Sequence, residues 1–347
     1  MIKLMKKITK KILIIVLCSV SVVFAFHVLS KDRITDTKKD SYDLYIAIDS
    51  QDNTVTSEFM YKFAELAKKN TDGRVKVHCY SNSQLGSDVE ILRALIKGNI
   101  TFVVQTTAPQ APFVKEAAIF DSPFAFKDVK EARKILSGRV FTKLQEAYEQ
   151  KGIRLLAFSD QGFRNMTSNI KVEKMSDFKS VKIRTMENKN HIDLWSKLGA
   201  SPTPLAWSEV YIALSQGVID AQENPLETIV ASHVYEKQKY LIMTSHVLHT
   251  LSLIGSEKVL ASLPGDLQSI IQKSADEAKD YASTIADERL AEKIKYLQEQ
   301  GVEIIYPSEE FKRKMREKTD PVFESIRAQV GDELMDMFEE ERNEDEK

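Results

Sequence analysis

From residue 43 onward, short apolar runs alternate with longer stretches of helical periodicity. Asp43–Ile48 (DLYIAI) reads as a strand, and Ser57–Lys69 places Phe59, Tyr61, Phe63, Leu66 and Ala67 at helical spacing. Asn70–Gly73 stops that helix. The alternating Arg74–Tyr80 predicts a second strand, followed by a helix over 87–97 and a strand over 99–105. This β-α-β-α-β order predicts an α/β fold with a parallel sheet, its ligand-facing loops at the carboxyl ends of the strands. Asp49–Thr54, directly after the first strand, is one such loop.

A helix over 128–150 leads to a strand at Ile153–Ser159. A second set of strands follows near 163–168, 181–185 and 218–222, with helices over 188–198 and 207–216 between them. From Pro264-Gly265-Asp266 a pattern without a breaker runs to about Gln300. Some 35 residues of helix span roughly 50 Å, more than one small domain is wide, so an unbroken helix must cross from one domain to the other.

The first forty residues break this pattern. Lys3, Lys6, Lys7, Lys10 and Lys11 carry the only charges of residues 1–25, and residues 12–26 (ILIIVLCSVSVVFAF) are apolar apart from two Ser and Cys18. A basic segment before an apolar run is the pattern of a secretory signal, with Val23-Phe24-Ala25 as a cleavage site. An uncleaved anchor over 12–29 and lipidation at Cys18 are the alternatives. All three place the folded part outside the cytoplasmic membrane.

Composition matters after that division. The whole chain has 49 Lys+Arg against 51 Asp+Glu; without the five leader lysines the count is 44 against 51, a net charge near −7. Such a protein is not expected to grip nucleic acid. Two cysteines exclude a disulfide framework, and Cys79, in an alternating strand, reads as a half-buried structural residue. The chain has no G-x-S-x-G, H-E-x-x-H, G-x-x-x-x-G-K-[ST] or strand-following G-x-G-x-x-G. His246 and His249 lack further donors at ligand spacing, so no metal or cofactor is expected. The weight moves from catalysis to binding.

Polar residues at strand ends then stand out. Arg164, in Gln161–Asn169, and Arg184, ending Val181–Arg184, offer guanidinium forks that can donate paired hydrogen bonds to a carboxylate. Asn224 follows the strand 218–222 and precedes Pro225, where its amide can donate to a second carboxylate oxygen.

These residues sit within a longer run of markers: Tyr80-Ser81-Asn82-Ser83-Gln84-Leu85-Gly86, Gly162-Phe163-Arg164 with Thr167-Ser168-Asn169, Lys182-Ile183-Arg184, Leu198–Pro204, Trp207-Ser208-Glu209-Val210-Tyr211 and Gly217–Pro225. In order and spacing the chain resembles the substrate-binding proteins of tripartite ATP-independent periplasmic (TRAP) transporters, the DctP family, from about Asp43 to the region of Phe338. The resemblance implies a two-domain flytrap with hinge strands and a long shared helix. With the leader read above as a signal peptide over 1–25 and an acidic, frayed tail over 339–347, the chain divides into a linker over 26–42, domain I over 43–160 with about 250–288, and domain II over 161–249 with about 289–338. The resemblance also implies Arg184 as the principal carboxylate clamp, Arg164 and Asn224 completing the anion site, and Trp207 packing against the ligand.

Departures from the family pattern bear on specificity. Thr106 and Pro109 stand where the sialic-acid branch has an acidic residue and an Arg, which counts against sialic acid. Asp49 and Glu187 are expected near the far end of the ligand, where carboxylates accept hydrogen bonds from hydroxyls or an amine and repel a second carboxylate. The expected ligand is a polyhydroxylated monocarboxylate, a uronate or aldonate, delivered to small and large membrane subunits. A C4-dicarboxylate or sialic-acid receptor, a receptor feeding a sensor, and an exported hydrolase are the alternatives.

Overall fold

The computed structural model describes residues 40–343. The signal, anchor and lipidation readings, with most of the linker, fall on residues outside this range. Among the described residues, no helix is long and apolar enough to cross a membrane.

Among the described residues, eleven strands and ten principal helices follow in chain order: β1 Tyr42–Ala47, α1 Val55–Asn70, β2 Val75–Tyr80, α2 Asp88–Lys97, β3 Phe102–Thr106, α3 Val129–Ile135, α4 Arg139–Glu149, β4 Ile153–Phe163, β5 Asn165–Ser168 and β6 Lys182–Thr185. Then come α5 Lys189–Leu198, β7 Ser201–Pro204, α6 Val210–Ser215, β8 Ala221–Asn224, α7 Leu226–Ala231, β9 Tyr240–Ile242, β10 Leu248–Ser256, α8 Gly265–Glu299, β11 Glu303–Ile305, α9 Glu309–Val330 and α10 Asp332–Asn343. Local signals explain many boundaries. Thr54 caps α1 reciprocally with Ser57, each side-chain oxygen accepting from the other's backbone N–H at 3.1 Å.

The strands make two sheets, ordered β2-β1-β3-β10-β4 and β11-β9-β5-β8-β6-β7. In the first, β1 pairs parallel with β2 and β3 as expected. The sheet is nevertheless mixed, because β10 returns from the second sheet and runs antiparallel between β3 and β4. Strand β4 also outruns its expected end at Ser159, reaching Phe163. A register shift against β10 falls between its Asp160 and Phe163 partners, and Gly162 there adopts φ +76°. That left-handed residue lets the strand bulge and re-aims Arg164 at the crossing point. The two chain crossings, β4 to β5 and β9 to β10, lie side by side: Arg164 N–H donates to Val247 O at 2.9 Å.

Each sheet buries its own apolar clusters, and two helices serve both. Helix α8 places Leu267, Ile271, Ala275, Ala278, Ala282 and Ile285 under the first sheet, and Leu297 beside the second. It runs 35 residues without interruption, the crossing that its pattern requires. Helix α9 does the same in the opposite sense. Phe311 and Met315 join the second core, whereas Val322, Ile326 and Val330, beyond Pro321, join the first.

Two boundary expectations are corrected. The segment to 338 does not stay with the second domain: Leu334, Met335 and Phe338 of α10 pack with Leu144 and Phe158 in the first core. Nor is 339–347 a frayed tail as far as Asn343, because α10 continues to that residue and buries Glu341. The Glu341 carboxylate accepts from the Arg139 N–H at the start of α4. A Cβ at Gly138 would lie 2.7 Å from that carboxylate, so this approach needs glycine, and at this extended residue the expected single helix over 128–150 is interrupted into α3 and α4. An anion at a helix N-terminus is favoured by the unsatisfied N–H groups. Read as charge alone, the acidic end looks like a solvated tail; the helix terminus it caps is 202 residues away in sequence.

Candidate functional site

A cavity of about 30 Å³ lies between the two sheets, far below the roughly 300–1,000 Å³ usual for ligand pockets, so in this arrangement it has room for water alone and must widen to admit an organic acid. Its lining brings together Asp49, Ser50, Asp88, Thr106, Arg164, Arg184, Met186, Trp207, Asn224, Thr228 and His249. Six of the seven residues singled out in the sequence are there. The seventh, Glu187, is exposed and is corrected: Met186 takes the lining position, and Asn188 then turns inward to cap α5.

Strand β6 delivers Arg184, which is only 4% exposed. Its Nε and Nη2 donate to Leu205 O at 2.9 and 2.6 Å, and its guanidinium carbon sits 5.3 Å from the centroid of the Trp207 ring. One edge of the fork is therefore anchored by a neutral carbonyl. No carboxylate pairs with it among the described residues, and burial pulls its pKa down to about 10. It remains a cation, without a direct ion-pair contact and facing the cavity.

Arg164 is used differently. Its Nε donates to Glu223 Oε2 at 2.5 Å, and its Nη2 donates to Glu223 Oε1 at 2.8 Å and to Glu223 O at 2.6 Å. Nη1 donates to His249 Nδ1 at 2.5 Å. Since guanidinium can only donate, Nδ1 is the lone-pair nitrogen and His249 is neutral. Burial, then the Arg164 charge, holds its pKa well below the usual imidazole range. His246 donates from Nε2 to Glu223 Oε2 at 2.9 Å, while its Nδ1 faces Thr244 Oγ1 at 2.8 Å. The Arg164 charge and the His246 hydrogen bond outweigh burial and hold the Glu223 carboxyl well below the usual range. Arg164 is thus a wall of the cavity with its charge already matched. The two histidines three apart in sequence are absorbed by this same network.

The opposite wall is acidic. Asp49 follows β1, and Asp88 is the first residue of α2, whose Ser87 is held by Glu90: its Oε2 accepts from the Ser87 N–H and hydroxyl at 2.9 Å each. Burial pushes the Asp49 carboxyl up, and burial together with the Asp49 charge pushes Asp88 well above the usual range. Asp88 was not singled out in the sequence, where an acid in the first helical turn reads as an N-terminal stabiliser. The signal that marks it is its position two residues past the Tyr80–Gly86 marker segment. Asn224 is buried, its Nδ2 donating to Gln222 Oε1 at 2.8 Å, and Thr106 ends β3 at the rim.

Hydrogen bonds join the two sides over the cavity. Trp207 Nε1 donates to Gln51 Oε1 at 3.1 Å, and Thr56 Oγ1 donates to Gln161 Oε1 at 2.9 Å. Gln161 Nε2 donates to Thr228 Oγ1 at 2.8 Å, and Asn188 Nδ2 donates to Asp121 Oδ2 at 2.8 Å and Ala108 O at 2.6 Å. Cys79 lies on β2, half-buried and outside the cavity lining, with burial pushing its thiol up to about 11; it is not a nucleophile at neutral pH.

Known proteins resemble this chain over most of its length. The family described as bacterial extracellular solute-binding protein, family 7 (DctP), matches residues 46–329. A solute-binding protein of Verminephrobacter eiseniae is 35% identical over 245 residues, 70% of this chain and 73% of that protein. The C4-dicarboxylate-binding periplasmic protein DctP of Rhodobacter capsulatus is 33% identical over 276 residues, 79% of this chain and 83% of its own. Among solved structures, the sugar acid binding protein DctPAm of Advenella mimigardefordensis, in complex with galactonate, superposes with a TM-score of 0.85 at 30% identity. That superposition covers 88% of this chain and 98% of that one. These are receptors and not enzymes, and the exported-hydrolase alternative has no support among them.

Proposed function

We propose that this chain, which belongs to the DctP family of bacterial extracellular solute-binding proteins, captures a polyhydroxylated monocarboxylate, a uronate or aldonate, and presents it to TRAP membrane subunits. The observation that carries the ligand class is the unequal charge of the two cavity walls. Arg184 offers one guanidinium edge with no ion-pair contact, while Asp49 and Asp88 face the far end of whatever it holds.

A carboxylate at Arg184 gains charge-assisted hydrogen bonds in a site where water is largely excluded, which strengthens them. Asn224 and Thr228 are placed to meet the second oxygen or an adjacent hydroxyl. The Trp207 ring, already stacked against Arg184, covers an apolar face of the ligand. Hydroxyls at the far end donate to the aspartates. The ligand stabilises the closed arrangement by touching both sides at once, so capture is a population shift toward closure.

The C4-dicarboxylate reading has the Rhodobacter relative in its favour. Against it, a second carboxylate would lie among the aspartates, where like charges repel. Sialic acid is disfavoured by the neutral Thr106. A thermal-shift and Trp-fluorescence panel of hexuronates, aldonates, succinate, malate and sialic acid tests the reading. Tight binding of a sugar acid and weak binding of succinate is the expected result; tight succinate with no sugar acid overturns it.

A further inference from the structure

Building on the reading of one clamped carboxylate, we infer that Asp49 and Asp88 form a carboxyl–carboxylate pair sharing one proton, and that this proton makes the cavity select monoanionic polyols and bind them in a pH-linked way. Both side chains line the cavity. Asp49 is 8% exposed, and Oδ1 of Asp88 is buried with no hydrogen-bond partner in the protein. Asp49 has little help from its own loop: the Ser50 hydroxyl donates to its Oδ1 at 3.4 Å.

The charges facing the pair come from every side of the cavity. From β6 comes Arg184; from the β4–β5 crossing, Arg164; from β10, His249, with Glu223 of β8 behind Arg164. Arg164 is matched by Glu223, and His249 accepts a hydrogen bond through Nδ1 and is uncharged. That leaves Arg184 as the one free cation of this set against two carboxyl groups. With both ionised, the cavity would be net negative before any anion entered. With one proton retained it is neutral, and the orphaned oxygen of Asp88 gains either a proton or a donor to accept from. The upward displacement of both carboxyls agrees with this state.

A protonated carboxyl beside an ionised one offers one donor and several acceptors, which is what a ligand hydroxyl needs, since it both donates and accepts. A second ligand carboxylate meets no free cation there and would have to bring its own proton. Binding also changes the pair. An arriving anion cancels the Arg184 charge that draws the proton off, so the pair holds its proton more firmly in the complex. Capture is therefore accompanied by proton uptake, and apparent affinity falls by up to about tenfold per pH unit once the free pair has lost its proton.

Isothermal titration calorimetry of the folded protein with D-galactonate and D-galacturonate tests this, in phosphate and in Tris, from about pH 6 to about pH 8.5. We expect a binding enthalpy that differs between the two buffers, uptake of up to one proton, and weaker binding at the upper pH. Asp88→Asn should bind the same acid with buffer-independent enthalpy and a flat pH profile, and Asp49→Asn should do likewise. The double Asn variant should additionally gain succinate binding. Circular dichroism establishes that each variant is folded; should Asp88→Asn not fold, Asp49→Asn serves in its place. Sugar-acid binding with equal enthalpies in both buffers and pH-independent affinity overturns the shared proton and leaves the proposed function standing. Absence of binding by every sugar acid to the folded wild type overturns both.

Discussion

Arg164 and Glu223, 59 residues apart, form a buried bidentate pair at the crossing between the two sheets, with N···O distances of 2.5 and 2.8 Å and side chains 1% and 0% exposed. It ties the first chain crossing to β8, and through His246 it reaches the second crossing as well. A pair so placed is costly to break from one side, because the surviving charge is left desolvated.

Glu223→Gln is accordingly expected to destabilise the protein by roughly 3–5 kcal/mol, measured by chemical denaturation. An Arg164→Met, Glu223→Leu double variant should recover a large part of that loss, since it removes both buried charges together. Double-variant stability equal to the sum of the two single losses would show that the two residues do not act as a pair.

Arg184→Ala should leave the fold intact, because the hydrogen bonds it gives up go to one neutral carbonyl, yet lose carboxylate affinity by about two orders of magnitude or more. Arg184→Lys should retain part of it, a point charge lacking the fork. Titration by Trp fluorescence checks both; unchanged affinity in the Ala variant removes Arg184 as the clamp.

Stability should respond to pH from both directions. Asp49 and Asp88 have raised carboxyl pKa values in the folded state, so between about pH 4 and those raised values the folded state binds more protons than the unfolded one, and stability falls as pH rises. His246 and His249 have lowered values, so below about pH 6.5 the unfolded state takes the extra protons and stability falls as pH drops. Glu223, held low, adds stability that is full above about pH 4.3 and is lost in acid. Ligand-free Asp88→Asn should then melt above wild type at pH 8, by the equivalent of about 1–3 kcal/mol, and lose that advantage near pH 4. Differential scanning calorimetry across this range reads the outcome, and an Asn variant less stable at pH 8 would contradict it.

Gly162→Ala probes the bulge that aims Arg164. No neighbour lies within 4 Å of the added Cβ, so any loss reflects backbone conformation at φ +76° rather than a clash. We expect about 1–2 kcal/mol of destabilisation and weaker ligand binding. A variant as stable as wild type would mean that the left-handed conformation is not required there.

Much of this architecture is legible along the chain. Alternation at Asp43–Ile48 and Arg74–Tyr80 and the helical spacing from Phe59 to Ala67 report which faces are buried, because side-chain direction follows backbone geometry with fixed periods. The unbroken run from Pro264 implies a helix spanning both lobes by length alone, and Arg184 at a strand end is marked as a fork for an anion. Tertiary structure decided which charges meet. Arg164 and Arg184 look equivalent in the sequence, yet one is matched by Glu223 and the other only by the carbonyl of Leu205. Asp88 and Glu187 are both acids near helix starts, yet the first enters the cavity and the second is exposed. The same holds for Glu341, an apparent tail residue that caps a helix 202 positions earlier. Periodicity speaks of neighbours three or four residues away, whereas the state of a buried charge is set by whichever opposite charge the topology brings within hydrogen-bond distance.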